Sequence, residues 1–180
     1  MTTDTELIHA LRGVPGFAGV FAADEVAQLY NVPNNRRFIL NTNARTENAV
    51  GHWVAMDTGD ISRPPFYFDS FAQDVSQIQP LLNQPYNEQW TQLLQHYAKR
   101  NGHASHVYNH YDLQCVVKRG AGHGPSDLCG EYCVLFIKWG PVQDAQGRIR
   151  IHWRQVTSIS AVCDANERWV RKQSGVKRGY

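Results

Sequence analysis

Leu128-Cys129-Gly130-Glu131-Tyr132-Cys133-Val134-Leu135-Phe136-Ile137 holds a single charge and is followed shortly by Gly140-Pro141. That pattern predicts a buried helix over about 127–139, and a buried helix demands other elements packed around it. Its first turn carries Cys129. The positive end of a helix dipole lowers a thiol's pKa and favours the thiolate. Asp127 or Ser126 is expected to cap this helix, and Gly130 to leave room for a substrate backbone. A free Cys is most often only a buried one, so a catalytic reading of Cys129 depends on what accompanies it.

Two upstream segments supply the company. Gly51-His52-Trp53-Val54-Ala55-Met56-Asp57 and Phe66-Tyr67-Phe68-Asp69-Ser70-Phe71 both read as strands in which apolar residues flank one reactive polar group. A turn-rich link, Thr58 to Pro65, would pair them and bring His52 beside Asp69. A histidine acting as general base needs a third group to fix its tautomer and stabilise the imidazolium, and Asp serves that role. The order is then His52 as base, Asp69 as orienter and Cys129 as nucleophile. Trp53 is expected beside the imidazole, shielding it from water.

With these residues in view, the chain resembles the adenovirus protease family, the adenain-like cysteine proteases. These belong to a larger clan that includes the SUMO- and ubiquitin-like-protein-processing proteases. Three stretches carry the resemblance: Phe38 to Glu47 running into Gly51-His52-Trp53, Phe68-Asp69-Ser70-Phe71, and Cys129-Gly130-Glu131-Tyr132-Cys133. Together they span roughly residues 15 to 137. The resemblance implies an α+β fold with a mixed β-sheet packed against helices, and a papain-like Cys-His-Asp mechanism. It further implies viral precursor polypeptides as substrates, cleaved near small residues such as Gly, in a virion or in the host nucleus or cytoplasm. Ubiquitin-like proteins are the alternative substrates, which would make the chain an isopeptidase.

One position departs from that family. Where the clan places a Gln ahead of the nucleophile to donate to the oxyanion, this chain has His123, in Gly122-His123-Gly124-Pro125. An imidazole N–H can donate in its place. Gln114 lies too far back in a predicted strand. The resemblance also sets Cys115 where the family carries a cysteine that joins an activating peptide by a disulfide. A lone strand Cys needs no such partner, and both readings of Cys115 stand open at this stage. Stimulation by DNA is likewise implied by the resemblance. Residues 148–180 hold eight Lys/Arg against two Asp/Glu, +6 in a chain of net +2, with Trp153 and Trp169 among them. A basic, aromatic segment suits nucleic-acid phosphates, though it equally suits a solvated face.

At 180 residues with 42% hydrophobic and 19% charged residues, the sequence predicts one globular domain, 1–180, with 148–180 as its basic C-terminal segment. It is expected to be a monomer and to need no cofactor. There is no 18-residue apolar run and no leading apolar segment, so neither a membrane span nor a secretory signal is expected, and reduced intracellular thiols are. The four cysteines show no zinc spacing, and the histidines at 103, 106 and 110 make a weak metal pattern, so no metal site is expected. Two further function classes remain, an acyltransferase using the same triad and a non-catalytic binding module that keeps the protease groove. Helices are expected over 4–12, 73–83, 87–100 (with Pro85 and Asn87 as break and cap) and 164–173 (capped by Asp164). Strands are expected over 36–42, 51–57, 65–71, 105–118 and 148–158.

Overall fold

Trp53-Val54-Ala55-Met56 is apolar at every position, and a strand without alternation must be covered on both faces. The computed structural model, which describes residues 2–47, 51–78, 86–110, 112–114, 127–143, 149–150 and 159–177, makes it the middle of a sheet covered in that way. In chain order the elements are α1 (Asp4–Leu11), β1 (Phe17–Phe21), a 3-10 helix (Ala23–Asn31), β2 (Arg37–Asn41), β3 (Trp53–Asp57), β4 (Phe66–Phe68), α2 (Tyr86–Arg100), β5 (Val107–Tyr108), α3 (Cys129–Trp139), β6 (Val142–Gln143), β7 (Ile149–Arg150) and α4 (Ile159–Ser174). The main sheet runs β1-β2-β3-β4-β5, and β6 pairs with β7 separately. The outer pairs β1–β2 and β4–β5 are parallel, whereas β2–β3 and β3–β4 are antiparallel. This is a mixed sheet with helices, the α+β architecture expected from the sequence.

Strand residues alternate between two apolar clusters. Ile39, Trp53, Ala55, Phe66 and Phe68 face Leu7 and Leu11 of α1, the length of α3, and Val170 of α4. Phe38, Leu40, Val54, Met56 and Tyr67 face the 3-10 helix and Trp90, Leu93, Leu94 and Tyr97 of α2. The period of two therefore divides the strands between two cores rather than between core and solvent. Phe136 of α3 stacks on Phe68 with ring centroids 4.9 Å apart, which locks α3 onto β4.

Several boundaries differ from expectation. Residues 73–78 form a turn closed by Asp74, whose backbone oxygen accepts from Gln77 and Ile78, rather than the start of a helix; 79–83 fall outside the described residues. Helix α2 begins at Tyr86, so Asn87 is inside it and not its cap. Helix α4 begins at Ile159, which puts Asp164 in its middle. The strand expected over 105–118 is only two residues long before the chain turns to side-chain pairing, and its last part, from 115, is not described. None of the described helices is long and apolar enough to cross a membrane.

Candidate active site

His52 stands just ahead of β3, and the ladder with β2 extends to hold it. Its N–H donates to Thr42 Oγ1 at 2.8 Å and its carbonyl accepts from the Thr42 N–H at 2.9 Å. Gly51 is required there, because a Cβ would lie 1.8 Å from Asn41 Oδ1. Asp69 stands just past β4, on the neighbouring strand. Asn109 follows β5 and replaces a strand in pairing with it: Asn109 Oδ1 accepts from the Asp69 N–H at 3.1 Å, and its Nδ2 donates to the Asp69 carbonyl at 2.6 Å. The chain then turns through Ala72 in the left-handed region (φ 57°), with the Ala72 N–H returning to the Asp69 carbonyl. Such strain in a non-glycine residue persists where the surroundings fix the backbone.

The side chains meet as the sequence implied. His52 Nε2 lies 2.8 Å from Asp69 Oδ1, which also accepts from the Phe71 N–H at 2.9 Å. Asp69 is fully buried, and its Oδ2 has no hydrogen-bond partner among the described residues, so the imidazole is the principal side-chain partner of this carboxylate. The His52 side chain also shares a hydrogen bond with Cys129. Burial by itself would push the His52 pKa down. The hydrogen bond and charge of Asp69, then the hydrogen bond and charge of Cys129, outweigh it and raise the pKa to about 10. The imidazole therefore carries its proton at neutral pH. Cys129 is 3% exposed at the first residue of α3, where backbone N–H groups lack partners within the helix. Cys133, one turn on, is pushed well above the usual thiol range by burial and then by Cys129, Asp69 and Glu131, so it stays an inert thiol.

Three expectations about neighbouring residues are corrected. Trp53 does not cover the imidazole: its Nε1 donates to the Thr2 carbonyl at 2.9 Å and its ring belongs to the core on the α1 and α3 side. The ring stacked on His52 is Phe71, at 5.2 Å between centroids. Gly130 does not leave space for substrate. A Cβ there would lie 2.9 Å from Thr2 Cβ and 3.3 Å from Leu7 Cδ2, so the space is already filled by the chain itself. Asp127 does not occupy the cap position of α3. The cap position is Leu128, with no side-chain hydrogen bond, and Ser126 lies outside the described residues.

His123 and Cys115 also lie outside the described residues. Gln114 is described, and its Oε1 accepts from Ser70 Oγ at 2.5 Å. The three clustered histidines diverge: His103 meets the Asp60 carbonyl, His106 meets Asp74, and His110 packs on Tyr108. No group of three metal-ligating side chains occurs among the described residues. In the basic C-terminal segment, Trp169 is partly buried against Trp139, 5.4 Å between ring centroids; Trp153 is not described. A pocket of about 560 Å³ opens beside the Gly51–Trp53 stretch, with Thr2, Asp4, Ala44, Arg45 and Glu47 in its lining.

Sequence reasoning missed Phe71, Asn109 and Thr2. A signal existed for Phe71: the register that pairs Ala55 with Phe68, carried on by three residues, sets position 71 opposite position 52. Asn109 and Thr2 act across 40 and 51 residues respectively, and no local pattern marks them. Neither protein-family models nor curated proteins yield a match to the chain.

Proposed function

We propose that the chain is a thiol endopeptidase in which His52 and Cys129 form the reactive pair and Asp69 orients His52. The observation that carries this reading is the continuous contact from buried Asp69 through His52, charged up to about pH 10, to a thiol at the first residue of a buried helix. A structural histidine would not need both partners, and a structural cysteine would not need a charged imidazole beside it.

The chemistry follows from the geometry. Imidazolium beside thiol supports a thiolate–imidazolium pair, the nucleophilic form of cysteine. Sγ attacks a peptide carbonyl and forms a tetrahedral oxyanion, toward which the Cys129 N–H is available as a donor. The His52 proton passes to the leaving amine as the C–N bond breaks. Water, deprotonated by the now neutral imidazole, hydrolyses the thioester and restores the thiol. His123 is proposed as a second oxyanion donor. The resemblance to adenain-like proteases supplies the substrate part of the proposal, viral precursor polypeptides cut beside small residues such as Gly. It also supplies regulation by a peptide through Cys115 and by DNA at the basic segment.

Cleavage profiling on a peptide library tests this. The parent is expected to cut, and Cys129→Ala to be inert while keeping its fold, since one sulfur at a helix start contributes little packing. Asp69→Asn is expected to slow turnover by about 10²–10⁴-fold, the range spanned by losing acid–base function or its orienting carboxylate. Cleavage by Cys129→Ala at the parent's rate would remove the assignment.

A further inference from the structure

Thr2 is tied on three sides and is only 3% exposed. Its hydroxyl donates to Glu131 Oε2 at 2.7 Å, its carbonyl accepts from Trp53 Nε1 at 2.9 Å, and its Cβ fills the notch that Gly130 leaves by having no side chain. Those partners are placed in a telling way. Trp53 is the residue after His52; Gly130 and Glu131 are the two after Cys129. One small residue thus touches both the strand that carries the base and the helix turn that carries the nucleophile.

We propose that Thr2 is a positioning residue for the reaction, a clamp that sets the separation of His52 and Cys129 by binding the residue next to each. The proposal rests on the thiol-protease reading of that pair. Thr2 is itself held firmly enough to serve. Thr3 caps α1, accepting from the Glu6 N–H while Glu6 reaches back to the Thr3 N–H. Leu7 and Leu11 anchor α1 in the core beside α3. Arg45 then ties Asp4 to Glu25, on the same side of the molecule as the loop after β2. Because reacting groups must be held within about 0.5 Å of their productive geometry, a rigid clamp matters more than its own contacts suggest.

The separation of base and nucleophile can be read without any substrate, from the pH dependence of Cys129 alkylation by iodoacetamide, followed by mass spectrometry of the Cys129 peptide. In the parent, the acid limb of that profile is the reference against which the variants are read. Thr2→Val, which keeps the shape and removes the hydroxyl, is expected to move that limb up by about one unit, so alkylation at pH 6 falls about tenfold. Thr2→Ala removes the hydroxyl without setting a methyl against the Glu131 carboxylate, and should give the same shift if Thr2→Val does not fold. Thr2→Ser and Glu131→Gln preserve the donor and the acceptor, and should keep the parent's limb. An unchanged limb in folded Thr2→Val or Thr2→Ala overturns the clamp while leaving the protease reading intact. A parent whose Cys129 is not alkylated at any pH tested overturns both. A lower melting temperature with an unchanged limb makes Thr2 a packing residue only.

Discussion

A histidine held protonated to about pH 10 makes a prediction with a sign. In the proposed mechanism the imidazolium both stabilises the thiolate and protonates the leaving amine, so kcat/KM should fall on the alkaline side as pH rises through about 10, rather than near 6.5. The same titration should appear in stability. An unfolded His titrates near 6.5, so the contribution of charged His52 is fully present below that pH and is lost progressively between 6.5 and about 10. Denaturation midpoints at pH 6 and pH 10, compared with those of His52→Gln, isolate this contribution from other groups that titrate in the range. Equal pH dependence in the two proteins would contradict the raised pKa. The candidates His52, Asp69 and Cys129 were legible in the sequence because each sits among apolar and aromatic residues in the order the proposed mechanism needs. Phe71 and Thr2 were not, since an ordinary Phe and Thr acquire their roles only once the strands pair and α1 docks.

At the scale of elements, the short strands hold reactive residues by substituting side chains for ladder partners. Asn109 takes both backbone hydrogen bonds of Asp69 where β5 ends. Asn109→Ala removes two hydrogen bonds worth about 0.5–1.5 kcal/mol each and frees the backbone of the orienting carboxylate. Turnover should drop by more than this stability loss alone accounts for, with the loss in kcat rather than KM; a pure KM effect would show that Asp69 is held some other way. Gly51 works through exclusion. Gly51→Ala drives a methyl into Asn41 Oδ1, 1.8 Å away, and that oxygen is already engaged by the Asn43 N–H. The shift must fall on the residue beside it, His52, so Gly51→Ala is expected to lose at least about tenfold in kcat/KM, about 1.4 kcal/mol. Elements with a strong period or a full apolar run, such as α1, β3 and α3, were readable from sequence. The segment 73–78 was misread because side chains close a turn there instead of opening a helix: Gln77 Oε1 accepts from the Asp74 N–H and Ser76 Oγ donates to Asp74 Oδ2.

Across the whole molecule β3 is the spine, with chemistry at one end and an ion network at the other. His52 precedes its first residue. Its last, Asp57, is 1% exposed and is held by Arg37 Nε at 2.9 Å, by Arg63 Nη2 at 2.9 Å and by the Gly59 N–H at 2.7 Å. Arg37 also donates to the Ile137 carbonyl at 2.7 Å, so the network reaches from the sheet to the C-terminal end of α3. The two ends of α3 are therefore fixed by different means, Thr2 and α1 at the Cys129 end, Arg37 at the far end. This separation was invisible in the sequence, where Arg37, Asp57 and Arg63 are ordinary charges and only the fold brings them together. It predicts that stability and thiol chemistry can be changed independently. Asp57→Ala leaves two guanidinium groups crowded without their carboxylate and should cost about 3–5 kcal/mol in urea denaturation, the range for breaking a buried pair. Below the new melting temperature, Cys129 alkylation should keep the parent's pH profile, because nothing that touches His52, Asp69 or Cys129 has moved. A loss under about 1 kcal/mol would mean that solvent replaces the carboxylate readily, as it does for exposed pairs. A displaced alkylation profile in the folded variant would mean that β3 transmits strain along its length, and that the catalytic end is not independently held.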